Sequence, residues 1–247
     1  MIIFTFDGTT NGFLTCVFES YYKKILPDQI VFPGVQYSLV DEIVEIPTDD
    51  RKAERVLLCI KKARTPFVFR DLKLSFKSGE ENKFTVAFNY VKQVIDNKDI
   101  DVSTDFANRA VLDFSDCLRR TFNEVHRFKG FIRFSQTANG FFYAHYSPDN
   151  DITELLLPHF KARYKNQAFA IHDVKRNVLA LYDGKQSKII YADDAAITVY
   201  FSEEEKTFRD LWKTYYDSVN IPERKNRKQM IGHMPRKYWK DLPEKYQ

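Results

Sequence analysis

The sequence predicts an α+β fold, with a helix-rich first half and an antiparallel meander, packed on helices, in the second. Three observations predict it. Apolar residues recur every three or four positions through much of residues 50–127, the period of a helix with one buried face. Past Gly130 the period drops to two, in short runs separated by turn residues. Phe alone supplies 22 of 247 residues and the apolar share is 44%, enough to fill a core.

Ile2–Phe6 reads as a short apolar strand, turned by Asp7-Gly8. Thr10 or Asn11 then caps a helix whose Phe13, Leu14, Val17, Phe18 and Tyr21 fall on one side. Val35–Ile46 is extended. Thr48, Asp49 and Asp50 open a second helix, because acidic groups favour its positive N-terminal end. Residues 66–98 hold one or two more helices, broken near Ser78-Gly79. The longest helix is expected from about Thr104 to Arg127, on the spacing of Phe106, Ala110, Phe114, Cys117, Leu118, Phe122 and Val125.

Strands Phe131–Ser135 and Phe141–Tyr146 should flank a turn at Ala138-Asn139-Gly140. Asp151 is the expected N-cap of a helix over Ile152–Tyr164. Ala168–Asp173 and Val178–Tyr182 follow as strands, with shorter ones at Ile189–Tyr191 and Ile197–Tyr200. Ser202 and Glu205 form a capping box ahead of a helix that carries Phe208, Leu211, Trp212, Tyr215 and Val219. These elements make one α+β domain over residues 1–221, with a subdivision near residue 100 left open.

Residues 222–247 differ in character. They hold eight Lys or Arg against three Asp or Glu, a charge of +5 in a chain whose total is +4. Tyr238, Trp239 and Tyr246 are set among these cations. Cations neutralise phosphates and flat rings stack on bases, so the composition suits a nucleic-acid strand. A solvated charge run explains it equally. Met234 and Trp239 imply that the segment packs back on the domain, since large apolar side chains are wasteful on a free tail.

Other groups of residues invite a chemical reading. Glu124-Val125-His126-Arg127-Phe128-Lys129-Gly130-Phe131-Ile132-Arg133 interleaves cations with rings at a helix end, where basic residues also complement the helix dipole. His172-Asp173 resembles the start of general-base machinery, but neighbouring strand residues point to opposite faces. Asp7 stands at a strand end, where a carboxylate serves a site or a turn. Asp7, His126 and His172 are therefore the catalytic candidates. Arg127, Lys129, Arg133, Arg224, Lys225, Arg236, Lys237, Tyr238 and Trp239 are the nucleic-acid candidates.

Several classes are excluded by what is missing. There is no Walker loop, dinucleotide fingerprint, GxSxG, CxxC or HExxH, so no cofactor or metal is expected. Cys16, Cys59 and Cys117 lie far apart in apolar segments and read as reduced core residues. The N-terminus has no basic n-region and no run reaches the roughly 18 apolar residues of a membrane span. A cytoplasmic protein without membrane contact is expected.

Several segments together resemble one bacterial family, an uncharacterised "DNA metabolism protein" domain of unknown function. The resemblance rests on Phe6-Asp7-Gly8 with Phe13-Leu14-Thr15 and Phe18-Glu19, on Glu124-Val125-His126-Arg127 with Lys129-Gly130-Phe131, and on Leu157-Pro158-His159-Phe160. Ile171-His172-Asp173, Arg224-Lys225-Asn226 and His233-Met234-Pro235-Arg236-Lys237-Tyr238-Trp239 complete it. It implies a DNA-related role beside a radical-SAM protein that modifies or repairs DNA. It also implies a link to uracil-DNA glycosylase, to which some members are fused. It implies no activity for the domain itself.

The expected function is that of a DNA-binding accessory protein, taking single-stranded or damaged duplex DNA in modification or repair. Two alternatives stay open. One is a DNA-acting enzyme, glycosylase or nuclease-like, with a His/Asp pocket. The other is a docking subunit whose basic segment meets an acidic protein.

Overall fold

A computed structural model describes residues 1–32, 41–191, 198–224 and 226–245. Lys225, Tyr246, Ile197 and the 35–40 part of the expected Val35–Ile46 extended segment lie outside the described residues. The chain forms two compact units, Met1–Phe122 and Asn123–Gln247. The architecture is α+β, as expected.

The first unit is built on three parallel strands in the order β2-β1-β3, with β1 (Ile2–Thr5) between β2 (Gln29–Val31) and β3 (Glu42–Glu45). A central parallel strand is covered on both faces, which is why Ile3 and Phe4 are buried in succession. Thr9, rather than Thr10 or Asn11, caps α1 (Thr10–Lys23), its hydroxyl accepting from the Gly12 N–H at 2.9 Å. Asp49 caps α2 (Asp50–Lys62), accepting from Arg51 and Lys52 at 2.9 and 3.1 Å. The stretch 66–98 resolves into α3 (Val68–Ser75) and α4 (Lys83–Asp96). Phe6, Phe13, Phe76 and Phe84 pack edge to face in the core, three of the pairs at 5.0 Å. Gly8 has φ +82°, and a Cβ there would lie 2.1 Å from the Phe32 ring.

Helix α5 (Arg109–Phe131) crosses the division between the units and departs from the expected Thr104–Arg127 at both ends. Asn108 sets its start, its side chain accepting from the Ala110 N–H at 3.0 Å, and Phe106 is left exposed before it. At the other end Gly130 does not stop it. Phe128 is buried and Phe131 packs against the core of the second unit, so helical spacing buries more ring surface than a strand would. The expected strand Phe131–Ser135 shrinks to β4 (Ser135–Gln136).

The second unit holds a five-stranded sheet in chain order: β4, β5 (Phe142–Tyr146), β6 (Phe169–Asp173), β7 (Val178–Tyr182) and β8 (Ser187–Tyr191). It is mixed, not the antiparallel meander expected. β5 and β6 run parallel, pairing Phe142 with Phe169 and Tyr146 with Asp173, while the other pairs are antiparallel. Helix α6 (Thr153–Tyr164) separates them and carries the chain back to the end where β5 began, which makes the next strand parallel. Ile152, not Asp151, occupies the cap position and makes no side-chain capping bond. One face of the sheet buries Ala144, Tyr146, Phe169, Ile171 and Ala180 against Phe128, Leu156 and Phe160.

Helix α7 (Glu203–Ser218) follows, then α8 (Arg227–His233) and short 3₁₀ turns at Pro222–Arg224, Arg236–Asp241 and Pro243–Lys245. The expected capping box is absent. The Glu205 carboxylate instead accepts from the Gln136 N–H at 2.8 Å and from Arg209 at 3.1 Å, and the Ser202 side chain makes no cap. No helix among the described residues is long and apolar enough to cross a membrane.

Candidate nucleic-acid interface

The C-terminal segment is locked into the second unit by two buried carboxylates. Glu124 accepts from the backbone N–H of Asp149 (3.0 Å) and of Asn150 (2.8 Å), from the Asn150 amide (2.6 Å), and from the Tyr238 hydroxyl (3.2 Å). The Tyr238 ring stands edge-on to Phe128 at 4.8 Å and is 1% exposed. Tyr238 is therefore a core residue here, and its faces are not offered to a base. Glu244 accepts from Arg133 Nη2 at 2.8 Å and from the Trp212 indole N–H at 2.9 Å. Burial works against its charge, but its own backbone N–H, Trp212 and Arg133 hold its carboxyl below the usual range.

Around Arg133 the chain leaves a cavity of about 670 Å³, lined by cations and rings. Helix α5 and the stretch after it supply Lys129, Arg133 and Phe134; α6 supplies Arg163 and Tyr164; α7 supplies Phe208, Arg209 and Trp212. Arg133 does not sit on a strand face as expected. It follows the end of α5, where Nη1 donates to the Gly130 carbonyl at 2.6 Å and the guanidinium lies 5.6 Å from the Trp212 ring centre. Arg209 is pinned by Glu205 and by the Ser135 hydroxyl at 2.9 Å. Phe134 packs on Tyr164 at 4.7 Å. Lys129 and Arg163 have no carboxylate partner among the described residues.

A second cavity of about 730 Å³ lies between the end of α7 and the C-terminal turns, with Arg224, Arg227, His233, Trp239 and Lys245 in its wall. Trp239 is half-buried, its indole donating to the Met234 carbonyl at 2.9 Å. Arg236 is exposed, 6.0 Å from that ring. Lys237 is paired with Asp149 and lies 3.9 Å from Glu124, so its charge is already partly matched. Arg127 is half-buried on α5. Glu244 borders this second cavity as well as holding two residues of the first.

Each catalytic candidate has its own surroundings. Asp7 belongs to the first unit, where its carboxylate accepts from the Thr9 N–H (2.9 Å), the Thr9 hydroxyl (2.7 Å) and the Thr48 hydroxyl (2.8 Å). Desolvation opposes its charge, but those bonds outweigh it and hold the carboxyl below its ordinary value. His126 is exposed on α5. His172 is buried in β6 and bonded on both nitrogens, to the Tyr143 hydroxyl at 2.8 Å and to Asn177 at 3.0 Å. Asp173, on the opposite face, closes the following turn by accepting from Lys175, Arg176 and the Arg176 guanidinium. Among the described residues no cluster of His, Cys, Asp and Glu could hold a metal.

Comparison with protein families places this chain. The model described as Domain of unknown function (DUF4130) matches residues 81–244, more than half of the sequence. The chain belongs to the DUF4130 family. The DUF4130 match takes in the whole lining of the first cavity and all of the second except Lys245. No curated protein and no solved structure matches the chain.

Sequence reasoning missed Arg163, Arg209, Phe134 and Trp212, four of the residues that line the first cavity. One signal was present: Arg209 and Trp212 are three apart, so both project from one side of α7.

Proposed function

We propose that this DUF4130 protein is a nucleic-acid-binding accessory protein of DNA modification or repair, taking single-stranded or locally opened DNA. The observation that carries the reading is the cavity in which Lys129, Arg133, Arg163 and Arg209 surround the rings of Phe134, Tyr164, Phe208 and Trp212. Its volume suits one or two nucleotides, its cations face phosphates, and its rings offer stacking surface to a base of any sequence. The second cavity, with Arg224, Arg227 and Lys245 beside Trp239, extends the same chemistry along the chain. The radical-SAM enzyme and the uracil-DNA glycosylase implied by the resemblance are the proposed partners.

Fluorescence anisotropy with single-stranded and duplex oligonucleotides across a salt series tests the reading. Single strands should bind more tightly, with an affinity that falls steeply as salt rises. Trp212→Ala should weaken binding by about 1–3 kcal/mol. Lys129→Ala should lower the salt slope by about one. Binding that ignores both substitutions overturns the proposal.

One observation favours a docking role as a second reading. Phe208, Leu211, Tyr215 and Val219 form an exposed stripe along α7, each more than half exposed. Co-purification that depends on Leu211 and Tyr215, with no DNA binding, would favour it.

A further inference from the structure

A smaller group at the wall of the first cavity narrows the ligand, and the inference rests on the nucleic-acid reading above. Helix α6 carries His159 and Arg163 four residues apart, so the two side chains rise from one face of the helix. Lys129 comes to the same place from α5: it lines the cavity beside Arg163, and Lys129 and Arg163 are the charged groups that act on the His159 ring. Neither cation is matched by a carboxylate among the described residues, unlike Arg133 and Arg209, which Glu244 and Glu205 hold. The Nε2 atom of His159 is shielded and has no hydrogen-bond partner among the described residues. Two adjacent unmatched cations in a cavity wall repel each other, and an anion between them relieves that repulsion.

The charge count selects among anions. An internal phosphodiester carries one negative charge, which a single cation balances. A phosphate monoester carries about −1.5 to −2 at neutral pH and presents three acceptor oxygens. Arg163 can present a two-pronged donor face and Lys129 a point charge, so together they match the dianion. Phe134 and Tyr164, in the same wall, are placed to receive the adjoining base or sugar.

We propose that Lys129 and Arg163 form a subsite for a terminal phosphate monoester, so that the cavity takes a phosphorylated strand end in preference to the interior of a strand. Such ends are left when a backbone is cut during repair, by hydrolysis or by elimination. The subsite thereby puts the protein after a strand-breaking reaction.

The test uses the full chain and one short single-stranded sequence in three forms: 5′-phosphorylated, 3′-phosphorylated, and hydroxyl at both ends. One phosphorylated form should bind about tenfold more tightly than the hydroxyl form. Arg163→Gln and Lys129→Gln should each remove that advantage, so that the variant binds its phosphorylated and hydroxyl forms alike, whatever it loses in affinity for all three. Arg163 is exposed and makes no hydrogen bond or ion pair among the described residues, so the variant should keep its near-ultraviolet circular dichroism. Equal affinity for all three forms, with clear binding, overturns the subsite and leaves the nucleic-acid reading standing. The reverse is equally readable: titration with thymidine 5′-monophosphate that is lost in Arg163→Gln, without binding of any oligonucleotide, keeps the subsite and overturns the nucleic-acid reading.

Discussion

In the first unit, the carboxylates of Asp7, Glu19 and Asp49 are all occupied with the fold itself. Asp7 takes three bonds from Thr9 and Thr48, Asp49 caps α2, and Glu19 is buried between Lys52 at 2.6 Å and Lys23 at 3.2 Å. In the second unit, Glu205 and Glu244 hold Arg209 and Arg133 in the wall of a cavity, while Lys129 and Arg163 in the same wall have no carboxylate partner among the described residues. The same side-chain chemistry therefore serves two ends. Carboxylates that close a structure leave nothing for a ligand, whereas carboxylates that orient cations prepare a surface for one.

That contrast can be broken most severely in the second core. Phe128→Ala removes the ring on which Tyr238 and Tyr146 pack and should cost about 3–5 kcal/mol, read as a lower denaturant midpoint. It should also expose the Arg224–Lys245 stretch to trypsin before global unfolding. A midpoint shift without earlier cleavage would mean that Tyr238 does not anchor the segment.

Glu19→Gln tests the first unit. It should cost about 1–2 kcal/mol, because two ammonium groups lose their charged acceptor, and leave oligonucleotide affinity untouched. Desolvation works to raise the Glu19 carboxyl, but its bonds to Lys52 and Lys23 win and hold it below the ordinary glutamate value. Its contribution is therefore fully present above the unfolded pKa, near 4.5, and lost as pH falls through the lower folded value. The variant and the parent should converge in stability as the solution is acidified.

Glu244→Gln sharpens the contrast from the other side. Freeing Arg133 adds one unmatched cation to the cavity, so single-strand affinity should rise about threefold at low salt and the salt slope should steepen by about one. Weaker binding would show that Glu244 acts by holding Trp212 in place.

The smallest effect is a proton. Burial, and then the charges of Lys129 on α5 and Arg163 on α6, push the His159 imidazole below its ordinary value. An anion that neutralises those two cations lets that value rise again, so binding takes up a proton. Affinity for a phosphorylated end should then increase about twofold as pH falls from about 8 to about 6.5, and level off as the phosphate itself protonates near 6. His159→Asn should flatten that slope.

Some features settled by neighbouring residues were legible in the sequence, though the caps of α1, α6 and α7 were not. The start of α2 at Thr48-Asp49-Asp50, the break near Ser78-Gly79, the turn at Ala138-Asn139-Gly140 and the strand pair Phe169–Asp173 and Val178–Tyr182 all appear where expected. Each depends on a bond or a turn spanning a few residues, and residue type alone selects it. The basic, aromatic character of the C-terminal segment was legible too. Which of its residues face outward was not: Tyr238 went to the core and Trp239 to a cavity wall, in adjacent positions of similar composition.

By itself, then, the sequence determined the α+β class and most helix positions. Only the tertiary structure decided that α5 continues through Gly130, that β5 and β6 run parallel, and that Lys129, Arg163, Arg209 and Trp212 share one cavity. Those outcomes depend on burial gained between segments distant along the chain. Local propensity cannot weigh that term, because alternating residues fit a parallel partner as well as an antiparallel one and a solvated arginine looks the same as one in a cavity wall.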